Sequence, residues 1–395
     1  MILGLVNIGS AHVGDLSGSV LEGDALLCED GVMTWVGDTA DVAAADVDQL
    51  VDVAGASVVP GFIDSHVHVA FGDYTPRQRT VGFLESYLHG GVTRAISASE
   101  VHVPGRPTDP SGVKALAVAA ERAYRHYRPG GVTVHAGSVI LEPGLTDTDF
   151  QELRREGVWL AKAGFGAFPR ARDYVQVVRA AQDAGLTVMC HVGGGSIRGT
   201  QDVIDAQTLL AMHPDVLGHV NGGPTSLDDA GTRALVEDGG DMALQLVQAG
   251  NLRSAIHISS VALEAGCPQR LLIASDTPTG TGVIPLALLR TMAELVSLGP
   301  LSPELALAAV TGNVAAVYGL GAGTLTLGSP ADLLVLDAPV GSRADDWQQA
   351  LRLGDLPSVA VAATSGEVRF AGSRNTPPPQ RDVRLTRGSP MAMPW

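Results

Sequence analysis

Regular alternation of strand and helix patterns across residues 59–321 predicts an α/β chain built on a (β/α)8 TIM-like barrel. Strand-rich segments at 1–58 and 322–395 predict a small composite β-sandwich domain assembled from both termini. Two observations carry the barrel. Eight short apolar segments in the middle of the chain are separated by helical patterns. Several of them also end the same way, with a metal-competent side chain where the strand gives way to a Gly/Pro loop. In a barrel of this kind the working face lies at the C-terminal ends of the strands, and six such side chains fall there.

The segments follow in order. Near the N-terminus, residues 25–28 and 32–36 read as strands joined by a turn at Glu29, Asp30 and Gly31. The first barrel strand is the run VVPGFIDSHVH at 58–68. Side chains two apart on a strand share a face, so His66 and His68 converge. A histidine pair alone is weak evidence, since most lone histidines are satisfied core or loop residues. Residues 93–97 supply the second strand and 131–137 the third, with helices expected at 111–125 and 146–156. The latter opens on Thr146 as N-cap, with Asp149 three residues on. Residues 157–166 form the fourth strand, and 186–191 the fifth, ending on His191 before three glycines. Residues 215–219 form the sixth, ending on His219, and 242–248 the seventh. The eighth, 271–276, ends on Asp276 before Thr277 and Pro278. Strand patterns then resume at 323–328, 331–336 and 366–370.

The fourth strand carries Lys162, one of only two lysines in a chain that otherwise takes its positive charge from arginine. A buried ammonium is unfavourable unless paired or neutralised. The bland alternative, a stem that reaches to water, fits poorly between Leu160 and Phe165. An unprotonated lysine amine reacts with carbon dioxide, which a guanidinium does not. The carbamate so formed is an anion with two oxygens able to bridge two metal ions.

The order HxH, lysine, His, His, Asp on successive strand ends resembles the amidohydrolase superfamily over essentially the whole chain. Within it the chain most resembles the enamidase branch of ring-opening hydrolases. That resemblance rests on GDYTPRQ at 72–78, HGGVT at 89–93, PGRP at 104–107, HVNGGP at 219–224, TGN at 311–313 and SRNTPP at 373–378. It implies two divalent metal ions per chain. His66, His68 and Asp276 would hold the more buried ion, and His191 and His219 the other. Enamidases carry a bridging glutamate where this chain has Lys162, so a carboxylated Lys162 is expected to take over the bridge. Imidazole and carboxylate ligands suit Zn2+, and Fe2+ or Mn2+ also fit. Asp276 would double as the proton carrier while a metal-bridging hydroxide opens a small cyclic amide. The resemblance also implies a homo-oligomer, a tetramer.

Four loop residues are candidates to hold an anionic group on the substrate: Tyr74 and Arg77 after the first strand, and His102 and Arg106 after the second. Arginine grips carboxylates in bidentate fashion, though loop structure or a subunit contact remains an open reading for all four. A hydantoinase- or dihydroorotase-like cyclic ureide hydrolase, or a heterocycle deaminase, is the alternative activity. A non-catalytic scaffold homologue is a remoter one, disfavoured because all six ligand positions are intact. His12, His126, His213 and His257 are expected at the surface, while His135 ends a strand and is open between cavity and packing.

Composition narrows the partners. The formal net charge of −16, with no basic cluster to offset it, argues against a nucleic-acid partner. No segment approaches the ~20 apolar residues of a membrane span. Cys28, Cys190 and Cys267 are too scattered for a disulfide framework. Together these point to a cytoplasmic enzyme acting on a small molecule.

Overall fold

The computed structural model describes residues 1–42, 46–69, 80–101, 105–165, 168–194, 202–222, 226–278 and 282–391. Its middle is the expected barrel. The strands run Phe62–Val67, Val92–Ser97, Thr133–His135 continued by Ser138–Ile140, Leu160–Ala163, Thr187–His191, Val216–Gly218, Ala243–Val247 and Leu271–Ala274, all paired in parallel. The eighth strand closes on the first just past its end. Asp276 N–H donates to the His66 carbonyl at 2.9 Å, and His68 N–H to that of Thr277 at 3.0 Å.

The third strand, expected at 131–137, covers Thr133–His135, and a second segment beyond that run follows at Ser138–Ile140. Thr133–His135 pairs only with the second strand and Ser138–Ile140 only with the fourth. The break sits at Gly137, whose φ of +95° is a left-handed conformation that suits glycine; a Cβ there would lie 2.9 Å from the Ala117 carbonyl oxygen. Amides freed by the break are not left bare. Glu100 Oε1 accepts from Gly137 N–H at 2.8 Å and Ser138 N–H at 3.1 Å.

Helices lie close to where the sequence places them. Pro110–Tyr124 starts with proline at its first position and with Asp109 accepting from Gly112 N–H. Asp147–Arg155 carries the Thr146/Asp149 capping box. The inward faces of the helices and the outward faces of the strands make the main core, including Phe62, Phe150, Val178, Leu209, Ile258 and Leu289. At the N-terminal end of the barrel, Ile63, Ile96, Leu160, Met189, Val216 and Leu272 pack with Val314 and Tyr318, so that end is filled.

Beside the barrel lie two five-stranded sheets. One has the order Arg384–Arg387, Gln49–Asp52, Ile2–Val6, Ala25–Glu29, Val32–Gly37; the other Glu367–Ala371, Ser358–Thr364, Leu333–Asp337, Ser57–Pro60, Ser10–Ala11. Both sheets therefore mix early and late chain. Leu5, Leu26 and Val51 from the first meet Val58, Val335 and Val361 from the second in one apolar layer. Residues 323–328, expected as a strand, form turns instead. Gly323 and Gly328 have φ of +83° and +86°, outside the strand region. The segment is tied down singly, through Leu325 N–H to Val13 O and Gly328 N–H to Met33 O. His12 is buried rather than exposed, edge-on to Trp347 and hydrogen-bonded to Ser10 Oγ at 3.0 Å. Among the described residues no helix is long and apolar enough to cross a membrane.

Candidate metal centre

His66 and His68 leave the first strand on one face, with ring centroids 5.4 Å apart. Asp276 comes to meet them from the end of the eighth strand. Its Oδ1 lies 3.2 Å from His66 Nε2 and 3.4 Å from His68 Nε2, and one ligand atom from each of the three residues fits within 4.8 Å of the others. Asp276 and His219 both have positive φ, +57° and +40°. Non-glycine residues take that region only under constraint. Here the constraint is the turn from strand into loop that swings each side chain back over the barrel mouth.

The second half of the cluster adjoins the first. The His219 ring is 5.5 Å from that of His66 and 4.4 Å from that of His191. Gly164 lets the fourth strand approach the fifth, because a Cβ on it would meet His191 Cβ at 2.6 Å. Lys162 lies wholly buried on that fourth strand, its Nζ 3.1 Å from Met189 Sδ and 5.7 Å from the centre of the Phe165 ring.

Electrostatically the cluster is poised for cations other than protons. Burial holds His66 and His191 well below the ordinary histidine value and brings His219 to about 4. Burial likewise lowers the Lys162 amine to about 8. It pushes Asp276 up, but the electrostatic pull of the neighbouring His66, His68 and His219 rings outweighs it and holds the carboxyl well below its usual range. Neutral imidazoles, an ionised carboxylate and an amine that deprotonates readily are the forms in which these groups bind metal. The strongest sign of fit is His191. Both its ring nitrogens are buried, with no hydrogen-bond partner among the described residues, an arrangement that is rare for a buried polar group with no further ligand.

A model of the amidohydrolase family matches residues 57–370. The chain belongs to that family. It is 42% identical to the enamidase of Eubacterium barkeri over 380 residues, spanning 96% of this chain and 98% of that one. It is 29% identical to the imidazolonepropionase of Salinispora tropica, across 80% of this chain and 86% of the other. The crystal structure of an enamidase superposes with a TM-score of 0.91 at 41% identity, covering 98% of this chain and all of the other. A putative prolidase from Bifidobacterium longum, at 20% identity and a TM-score of 0.62 over 96% of each chain, shares the fold.

In this amidohydrolase, then, His66, His68 and Asp276 form one ligand group, His219 and His191 adjoin it ring to ring, and Lys162 lies near enough for its charge to act on all three of His66, His191 and His219. The loop candidates fare differently. Tyr74, Arg77 and His102 lie outside the described residues. Arg106 is already engaged. Its Nη2 pairs with the wholly buried Glu142 and donates to the Phe165 carbonyl at 2.6 Å, while Nη1 donates to that of Pro107 at 2.8 Å. His135 packs edge-on against Trp159 near Arg94 and Arg128, away from the histidine cluster.

Two residues beneath the cluster escaped sequence reasoning. Asp64 accepts from His66 N–H at 3.2 Å and Ser275 N–H at 3.0 Å, stitching the first strand to the eighth. Burial raises its carboxyl to about 7 against those hydrogen bonds. Gln245 touches the His66 ring from the seventh strand. The available signal was weak: Gln245 is a lone polar residue between Leu244 and Leu246, while Asp64 sits beside Ser65 and His66.

Proposed function

We propose that this amidohydrolase is enamidase-like, opening a small cyclic amide that carries a carboxylate, with two divalent metal ions held by the six-residue cluster. The observation that carries the reading is the convergence of those six side chains, with His191 offering two unpartnered ring nitrogens, in a chain 42% identical to an enamidase. His66, His68 and Asp276 would hold one ion and His191 and His219 the other, with Lys162 as its carbamate between them. Divalent ions in such a site lower the pKa of a water towards neutrality and draw electron density from a carbonyl oxygen.

The protein's own groups supply the rest. Asp276 is the cluster member open to the mouth, with its side chain 17% exposed, while His66 and His68 are nearly sealed. Its carboxylate takes the proton of the attacking water and returns it to the ring nitrogen as the C–N bond breaks. Phe165 stands edge-on against the His191 ring at 4.8 Å.

A second reading has one observation in its favour. A lysine at the bridging position suits the hydantoinase- and dihydroorotase-like cyclic ureide hydrolases. Metal-replete protein assayed by NMR against matched lactams, imides, hydantoins and dihydropyrimidines, with elemental analysis of the same sample, separates the two. Ring opening of a carboxylated lactam with two ions per chain is expected. Preference for an uncharged ureide would overturn the substrate class, and one ion or none would overturn the site.

A further inference from the structure

Gln245 sits in the middle of the seventh strand, fully buried, and its amide reaches two neighbours at once. Its Nε2 lies 3.2 Å from the Ser65 carbonyl oxygen and 2.8 Å from Ser65 Oγ, and its Oε1 lies 2.6 Å from His66 Nδ1. Amide orientation is ordinarily ambiguous, but here chemistry decides it. A peptide carbonyl only accepts, so the NH2 must face Ser65 and the oxygen must face the imidazole. That oxygen also only accepts, so His66 Nδ1 must carry the proton. In the neutral ring the lone pair is then on Nε2, the atom 3.2 Å from Asp276 Oδ1. Two lone pairs facing each other at that distance call for a cation between or beside them.

We infer that Gln245 is a positioning residue that locks His66 in its Nδ1–H tautomer and turns the Nε2 lone pair to the metal. The inference rests on the metal-binding reading of the site but concerns a residue outside the ligand set. On His68 the corresponding contact is Ser99 Oγ at 3.3 Å from Nδ1. A hydroxyl can donate or accept, so that contact by itself does not set a tautomer, whereas the Gln245 contact does.

The test is metal affinity, measured by chelator competition and elemental analysis, independent of turnover. Gln245→Met keeps the side-chain length and removes the acceptor. It should weaken binding by the ~10–100-fold typical of lost outer partners of a metal ligand, beyond the modest drop in melting temperature expected from leaving Ser65 and the His66 Nδ1–H without their buried partner. Gln245→Glu retains an acceptor for Nδ1–H and, with its second oxygen protonated in this buried position, a donor for Ser65, so it should bind metal nearly as wild type does. Wild-type affinity in Gln245→Met, or equal weakening in both variants, overturns the inference. Selective ¹⁵N-histidine NMR of metal-free wild type decides it even if Gln245→Met does not fold. The resonance assigned to His66 by its loss in His66→Asn must show a protonated Nδ1; a bare Nδ1 overturns the lock whatever becomes of the metal stoichiometry.

Discussion

The Lys162 amine ends 3.1 Å from the thioether of Met189, wholly buried, and its charge bears on His66, His191 and His219. A sulfur gives an ammonium little, and two metal ions nearby would repel it, so on the proposed reading this lysine would lose its proton and take up carbon dioxide as a carbamate. Lys162→Ala is expected to lose bound metal and activity together. Both should return in part when a short-chain carboxylic acid is added. Undiminished metal content in Lys162→Ala would show that the bridge is made by something else.

Asp276 faces both Nε2 atoms of the HxH pair. Asp276→Asn retains an oxygen ligand but not the base, so kcat should fall by at least ~10²–10⁴ while much of the metal stays. Near-full turnover in that variant would remove the proton-carrier role and leave the ligand role standing.

Arg106 and Arg77 should separate cleanly. Arg106 holds the buried Glu142, so Arg106→Gln is expected to destabilise the fold, by on the order of 3 kcal/mol for breaking a buried pair, seen as a lower Tm. Arg77→Gln is expected to raise KM for a carboxylated substrate far more than for its neutral analogue. Equal changes for the two substrates would assign the Arg77 loop to structure.

His89 stacks on Phe370 at 4.1 Å and accepts from Arg374 N–H at 3.3 Å through Nδ1, an acceptor role that needs the neutral ring. Burial first, and the Arg374 charge second, lower it to about 4 from 6.5. Between those values the unfolded chain binds a proton that the folded chain does not. Its contribution is therefore whole above pH 6.5 and is lost as pH falls towards 4. Denaturant midpoints measured across that range should fall less steeply in His89→Gln than in wild type; parallel curves would mean that His89 does not titrate on unfolding.

Strand ends were legible because each is an apolar run stopped by one polar residue before glycine or proline, and a barrel turns that local pattern into a shared mouth. Pattern runs out where a contact crosses between distant strands. Nothing around Leu244 and Leu246 marks Gln245 as the partner of His66, since that pairing is made by barrel closure. Nor does the run at 131–137 announce the second segment, Ser138–Ile140, that carries the third strand on to the fourth. Residues 323–328 alternate like a strand, yet their glycines take them out of the ladder. His12 looked peripheral until Trp347 came to cover it.

Thr386 Oγ1 donates to the carbonyl of Leu50, 336 residues earlier, and the strand Arg384–Arg387 completes the sheet edge offered by Gln49–Asp52. During synthesis the early strand therefore emerges with its hydrogen-bonding edge open and keeps it open until the whole barrel has been made. An unsatisfied edge held that long invites pairing with the same edge on a neighbouring nascent chain. The edge at residues 49–52 is therefore where the incomplete chain is open to misassembly, and closing it is work that only the last residues of the chain can do.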